Sequence, residues 1–360
     1  MKEKTNQIPA SIDNIYRLEG RVPVASAIPF GLQHILAMFV ANIAPVMIVA
    51  GVCGMESKQI AMLIQCAMII AGIGTIIQLY PVWRIGSGLP IVMGISFTFV
   101  SIFCFIGAQY GYGAVVGAVI VGGVIEGTLG LLAKYWRKLV SPIVAASVVT
   151  AIGFSLLNVG ATSFGGGSGA EDFGSAKNLI LGTITLVVCL VFNIVAKKHY
   201  KQLSVLAGLV VGYLVAIPMG KVDFSGFADC GIISVPHFMP FKPEFNISAI
   251  VSVTMIFLVS ATETIGDTSA VAASGLGREV TEKEISGSIA CDGFISALSG
   301  LFGCMPITSF SQNVGLVAMT KVVNRFTILM GAIIMIIAGF VPAVGTALAT
   351  LPVAVVGGGT

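Results

Sequence analysis

The stretch MPITSFSQNVGLVAMTK, Met305 to Lys321, sets Thr308, Ser309, Ser311, Gln312 and Asn313 within a few residues of one another, inside a sequence that is otherwise apolar on both sides. Polar groups without partners cost several kcal/mol each in hydrocarbon, so irregular or polar backbone at membrane depth persists only where protein covers it or where it lines a cavity. The segment therefore reads as one wall of a binding site. Residues 86–101, GSGLPIVMGISFTFVS, repeat its character: Gly, Pro, Ser and Thr stand just ahead of a short apolar run. Each is the third span after a long opening one, at 28–50 and 247–275. Paired interrupted segments in two halves are how inverted-repeat transporters build a midplane site from half-helix termini. Close helix packing by Gly and Ser is the competing reading.

Outward from this stretch, the composition is 56% hydrophobic and 10% charged with a mean hydropathy of +1.00 over 360 residues, which excludes a soluble domain and implies an all-α polytopic membrane protein. Apolar runs able to span about 30 Å of hydrocarbon lie near 28–50, 59–82, 88–107, 113–133, 141–160, 178–196, 203–219, 247–275, 285–303, 307–320 and 326–346. A twelfth starts near Leu351, and LPVAVVGGGT then ends the sequence, so the chain is expected to be truncated within span 12. With a cytoplasmic N-terminus, fifteen Lys and Arg fall inside and only Lys58, Lys177, Lys221 and Lys242 outside, as the positive-inside rule requires. The polar first 27 residues lack the apolar core and cleavage site of a secretory signal and read as a cytoplasmic tail. The seven cysteines are scattered singly, with no pattern for disulfides or a metal, and no basic patch with interleaved aromatics speaks for nucleic acid.

Few ionisable residues fall inside the spans. Glu263 and Asp267, in SATETIGDTSA, are four apart and share a helix face at roughly 6 Å between Cβ atoms. Two such carboxyls cannot both carry charge cheaply in a buried setting, which suits a group that takes up and releases a proton; a structural pair tied to a hydroxyl such as Thr308 is the alternative. His34, in the first span, is open to a coupling role or to bridging two helices. Asp292 is expected to support Glu263 or the 307–320 segment by hydrogen bonds, and Glu126 to lock helices together. An intramembrane enzyme would need a nucleophile with a base, or a metal set, and these residues supply neither.

QNVGLVAMTK at 312–321 fits the signature Q/E/P-N-x-G-x-x-x-x-T-R/K/G, and the chain thereby resembles the nucleobase/ascorbate transporter family. ETIGD at 263–267, SFTF at 96–99 and GLQHILAM at 31–38 are similar to further stretches of that family, so the resemblance covers nearly the whole chain. It implies an inverted-repeat 7+7 transmembrane fold with core and gate domains: a core from 28–133 and 247–346, a gate from 141–219 and from the segment opening at 350–360. It also implies a multi-pass carrier of the inner membrane, a possible homodimer, that imports a purine nucleobase by symport, with no cofactor and with a proton as coupling ion, sodium being the other option. By motif, Glu263 and Gln312 match the side chains that hydrogen-bond the base, while main-chain groups near Phe97 and Ser311 complete the pocket. Asp267, His34, Asp292 and Asn313 are placed in proton coupling or site support; Gly315, Thr320 and Lys321 complete the motif. Asp267 and Gln312 stand where uracil carriers of the family have His and Glu, which favours xanthine or uric acid. A uracil or pyrimidine permease, and an anion transporter of the same architecture, are the alternatives.

Overall fold

The computed structural model describes residues 11–136, 170–196, 204–224 and 231–359, together with positions 144, 147, 150, 151, 154, 157 and 160–167. The expected span at 141–160 lies largely outside the described residues. The other runs fold as helices α1 (Val24–Val52), α2 (Ser57–Leu79), α3 (Val100–Tyr110), α4 (Tyr112–Leu131), α5 (Ala176–Val195), α6 (Ser204–Ala216), α7 (Ile247–Leu276), α8 (Glu282–Leu301), α9 (Ser311–Thr320), α10 (Arg325–Gly339), α11 (Pro342–Ala349) and α12 (Val353–Gly359). Among these, α2, α4, α5 and α7 are each long and apolar enough to cross a bilayer.

Local chemistry sets their ends. Capping boxes open α2 (Glu56 with Gln59) and α8 (Thr281 with Glu284), and Asn246 caps α7. Gly277 ends α7 in the left-handed conformation that glycine adopts without strain. The 326–346 run, expected as one span, breaks instead after Gly339; Pro342 cannot continue the ladder and begins α11.

The chain is helical as expected, with one short sheet inside it. Two short strands, β1 (Met93–Ile95) and β2 (Ile307–Ser309), pair antiparallel with Gly94 opposite Thr308, and each runs directly into a short helix, α3 or α9. The interrupted segments are thus discontinuous, as their Pro and Gly content indicates, and the strands meet in the protein interior, where every residue of both is buried. Extended backbone is possible there because its N–H groups find side-chain acceptors. Thr75 Oγ1 takes the Met93 N–H at 3.0 Å, Asn42 Oδ1 the Ile95 N–H at 2.6 Å, Ser296 Oγ the Ile307 N–H at 3.1 Å and Asp292 Oδ2 the Ser309 N–H at 2.9 Å.

The packing repeats itself in two halves. α4 lies on α8 as α10 lies on α2, and α4 touches α7 as α10 touches α1. Both of the first crossings are made close by glycine: a Cβ on Gly293 of α8 would strike the Gly127 backbone of α4, and one on Gly339 of α10 would meet the Gln65 carbonyl of α2 at 3.0 Å. Helices α5, α6 and α12 pack on one another, and α6 and α12 also touch α1.

Candidate functional site

Where the two strands end, the N-termini of two half-helices converge on one side chain of α7. Thr98, in the 3-10 turn Phe97–Phe99 that leads into α3, donates its hydroxyl to Glu263 Oε2 at 2.8 Å. Ser311, the first residue of α9, places its hydroxyl 3.1 Å from Glu263 Oε1 and 2.8 Å from Asp267 Oδ2. A hydroxyl carries one proton, so Ser311 can donate to one of these carboxyls while the other must itself be protonated to complete its contact. Thr98, Glu263 and Ser311 are each partly exposed, so this layer borders accessible space. Gly315, one turn along α9, is exposed as well, and nothing stands within 4 Å of where a Cβ would be. Helix N-termini carry unpaired N–H groups and the positive end of the helix dipole, which favours an acceptor-bearing ligand beside them.

Behind this layer lies a fully buried scaffold centred on Asp292 of α8. Its carboxyl accepts from Thr264 Oγ1 at 2.6 Å, from the Ser309 N–H at 2.9 Å and from Gln78 Nε2 at 3.1 Å, which binds α7, β2 and α2 to one point. Asp292 therefore supports the 307–320 segment directly and touches Glu263 only through its neighbours. Asn313 Nδ2 donates to the His34 main-chain carbonyl at 3.3 Å and so ties α9 to α1. The His34 ring is buried, and among the described residues neither ring nitrogen meets a hydrogen-bond partner. Thr320 and Lys321 close α9: the Thr320 hydroxyl bonds the Leu316 carbonyl, Lys321 takes the left-handed conformation, and its ammonium reaches the Ser274 carbonyl at 2.7 Å. Phe97 sits at the turn with its ring packed against the main core. Gln312 occupies the first turn of α9, and its side chain lies outside the described residues. Glu126 of α4 is buried beside Ser260 of α7.

Several residues that shape the site were not singled out from the sequence. Thr98, within SFTF next to Phe97, has no sequence signal that sets it apart from other threonines in the spans. Asn42, Thr75 and Gln78 are lone polar residues inside apolar spans, a signal that marks either a ligand or, as here, an acceptor or donor for broken backbone. Among the described residues, no group of three or more His, Cys, Asp or Glu could hold a metal.

The fold and this site define a membrane permease built on a 7+7 inverted repeat. Its architecture is similar to the transmembrane domain of the cyanobacterial bicarbonate transporter BicA, with a TM-score of 0.64 at 14% identity over 92% of this chain and 86% of that one. It is also similar to SLC26A9, with a TM-score of 0.63 at 12% identity over 93% and 57%. In sequence, residues 25–360 match the Permease family Xan_ur_permease. The xanthine permease XanQ of Escherichia coli is 32% identical over 366 residues, 97% of this chain and 78% of XanQ. The uric acid permease PucK of Bacillus subtilis is 35% identical over 333 residues, 91% and 76% respectively. The chain belongs to this permease family, within the nucleobase/ascorbate transporters whose motifs its sequence carries.

Proposed function

We propose that the protein imports a purine nucleobase, xanthine or uric acid, across the inner membrane by proton symport, with its N-terminus in the cytoplasm. The observation that carries this reading is Glu263 held between the ends of two half-helices by Thr98 and Ser311. A carboxylate there accepts ring N–H groups of an oxidised purine, while the N-terminal, positive ends of the two half-helices α3 and α9 favour its ring carbonyls beside it. Gln312, in the first turn of α9, offers an amide donor and acceptor together, which matches a ring N–H beside a C=O. The similarity to XanQ and PucK supports the same substrate class.

The shared Ser311 hydroxyl supports proton coupling: Glu263 and Asp267 both satisfy their contacts to it when one proton is held between them. Substrate and proton bind from outside, the α1–α4 and α7–α10 core rocks against the gate helices, and both are released inward. Asp267 and Gln312 speak against the uracil reading on the family pattern. Against an anion carrier stands the charge of the site: its ionisable groups among the described residues are carboxyls, and Lys321 and Arg325 sit beyond the far end of α9.

Uptake of radiolabelled xanthine into proteoliposomes tests this. An inward proton gradient is expected to drive accumulation, which excess uric acid suppresses and uracil does not. Accumulation that follows a sodium gradient at constant pH would overturn proton coupling. Uptake of bicarbonate or sulfate in place of xanthine would overturn the nucleobase reading.

A further inference from the structure

Residues 11–22 fold back as a strap across the end of the molecule that carries the α9–α10 connection. The strap closes on itself through the Ser11 N–H and Asn14 Nδ2, which both donate to the Arg21 carbonyl at 3.2 and 3.0 Å. Its carbonyls then cover the start of α10. Ile15 C=O accepts the N–H groups of Val323 at 2.9 Å and Asn324 at 3.2 Å, and Leu18 C=O accepts that of Arg325 at 3.2 Å. These N–H groups at a helix start have no carbonyl within the helix to bond. Asn324, fully buried, joins both sides: Nδ2 lies 3.1, 3.1 and 2.9 Å from the carbonyls of Asn14, Arg17 and Gly20, and Oδ1 caps α10 by accepting from Thr327 N at 3.0 Å and Oγ1 at 3.2 Å. Ile15 and Val22 pack with Ala27 and Val322 into a small apolar cluster of their own. Beside it, Arg325 donates Nε to the Gly88 carbonyl at 2.7 Å and pairs with Glu19 of the strap at 3.3 Å. Gly88 lies in the loop that enters β1.

One knot thus holds the loop leaving α9 and the loop entering β1. The need for it is physical, because α9 has ten residues and helices shorter than about 12–15 are marginal without external support. Asp292 and Asn313 anchor the site end of α9, and Lys321 with the strap anchors the other. We propose that residues 11–22 are a positioning latch, with Asn324 as its central positioning residue, that fixes the two half-helices so that Thr98 and Ser311 converge on Glu263. This rests on the reading of Glu263 as the substrate anchor.

Asn324→Asp separates the latch from simple helix capping. Aspartate keeps an acceptor for Thr327 and is itself a good cap, but it turns a second acceptor toward the strap carbonyls in place of the donor. Two readouts apply. A cysteine introduced as Ile15→Cys, compared with the parent lacking it, is expected to resist a maleimide with Asn324 in place and to label readily with Asn324→Asp. The KM for xanthine is expected to rise on the order of tenfold, the equivalent of about 1.4 kcal/mol, with Vmax per membrane-inserted protein unchanged. Removing residues 1–22 should give the same rise, and combining it with Asn324→Asp should add nothing further. Labelling and KM both unchanged in Asn324→Asp, with a defect only in Asn324→Ala, would reduce Asn324 to a helix cap and overturn the proposal. A labelled Ile15→Cys with unaltered KM would equally overturn the positioning role. Absence of xanthine transport by the parent protein would instead contradict the functional reading, while the labelling still decides whether Asn324 docks the strap.

Discussion

In the first repeat, the N–H groups of the strand are held by Thr75 and Asn42, neutral groups from α2 and α1; in the second, the corresponding N–H groups are held by Ser296 and Asp292, both from α8, and one of these is a carboxyl. The same contrast runs through the site. α3 is introduced by a threonine that donates one hydrogen bond to Glu263, whereas α9 begins with a serine shared between two carboxyls. Two copies of one backbone solution have therefore been given different tasks. The first repeat supplies neutral donors and acceptors, and the second concentrates the ionisable groups Glu263, Asp267 and Asp292 within α7 and α8.

The largest expected break in that comparison lies in the scaffold. Asp292→Ala strands the Ser309 N–H and takes one acceptor each from Thr264 and Gln78, which keep the Ser260 and Ser288 carbonyls, and should destabilise the protein by about 3 kcal/mol. Asn42→Ala strands one strand N–H and should cost about 1–3 kcal/mol. Thermal unfolding of both variants in detergent checks the order, and equal losses would mean that the two repeats are anchored alike. A smaller effect tests the hydroxyls. Thr98→Val and Ser311→Ala should each weaken xanthine binding by roughly 1 kcal/mol, but only Ser311→Ala, which removes the bridge between Glu263 and Asp267, should also shift the pH dependence of uptake. Matching pH profiles in the two variants would contradict a proton shared through Ser311. The smallest effect lies outside the membrane-spanning part, at the turn into α8. There Glu284 binds Arg278 through two nitrogens at 2.5 and 3.0 Å and closes the Thr281 capping box. Glu284→Gln should lower stability by no more than about 1 kcal/mol and leave substrate affinity unchanged.

Much of this arrangement was readable in the residues. The spacing of Glu263 and Asp267 placed both on one helix face, and the Pro, Gly and Ser of 86–101 and 303–320 marked two broken segments, because hydrocarbon tolerates such residues only where other protein groups complete the backbone. What the sequence could not supply was the pairing of β1 with β2, since three-residue strands carry too little periodicity to be recognised. Nor could it tell which of many hydroxyls meets Glu263: Thr98 resembles any other threonine until the fold brings α3 against α7, 165 positions away in sequence. The role of Asn324 was hidden for the same reason, its strap partners lying more than 300 residues earlier.

The measurement that bears most directly on the central claim is equilibrium binding of radiolabelled xanthine to the purified protein, beside its Glu263→Gln variant. That substitution keeps the size of the side chain and an acceptor for Thr98 but removes the carboxyl. Saturable binding to the parent that uric acid displaces, uracil does not, and Glu263→Gln abolishes is the expected result. Binding that survives Glu263→Gln unchanged would contradict the assignment of the carboxyl between the two half-helices as the substrate anchor.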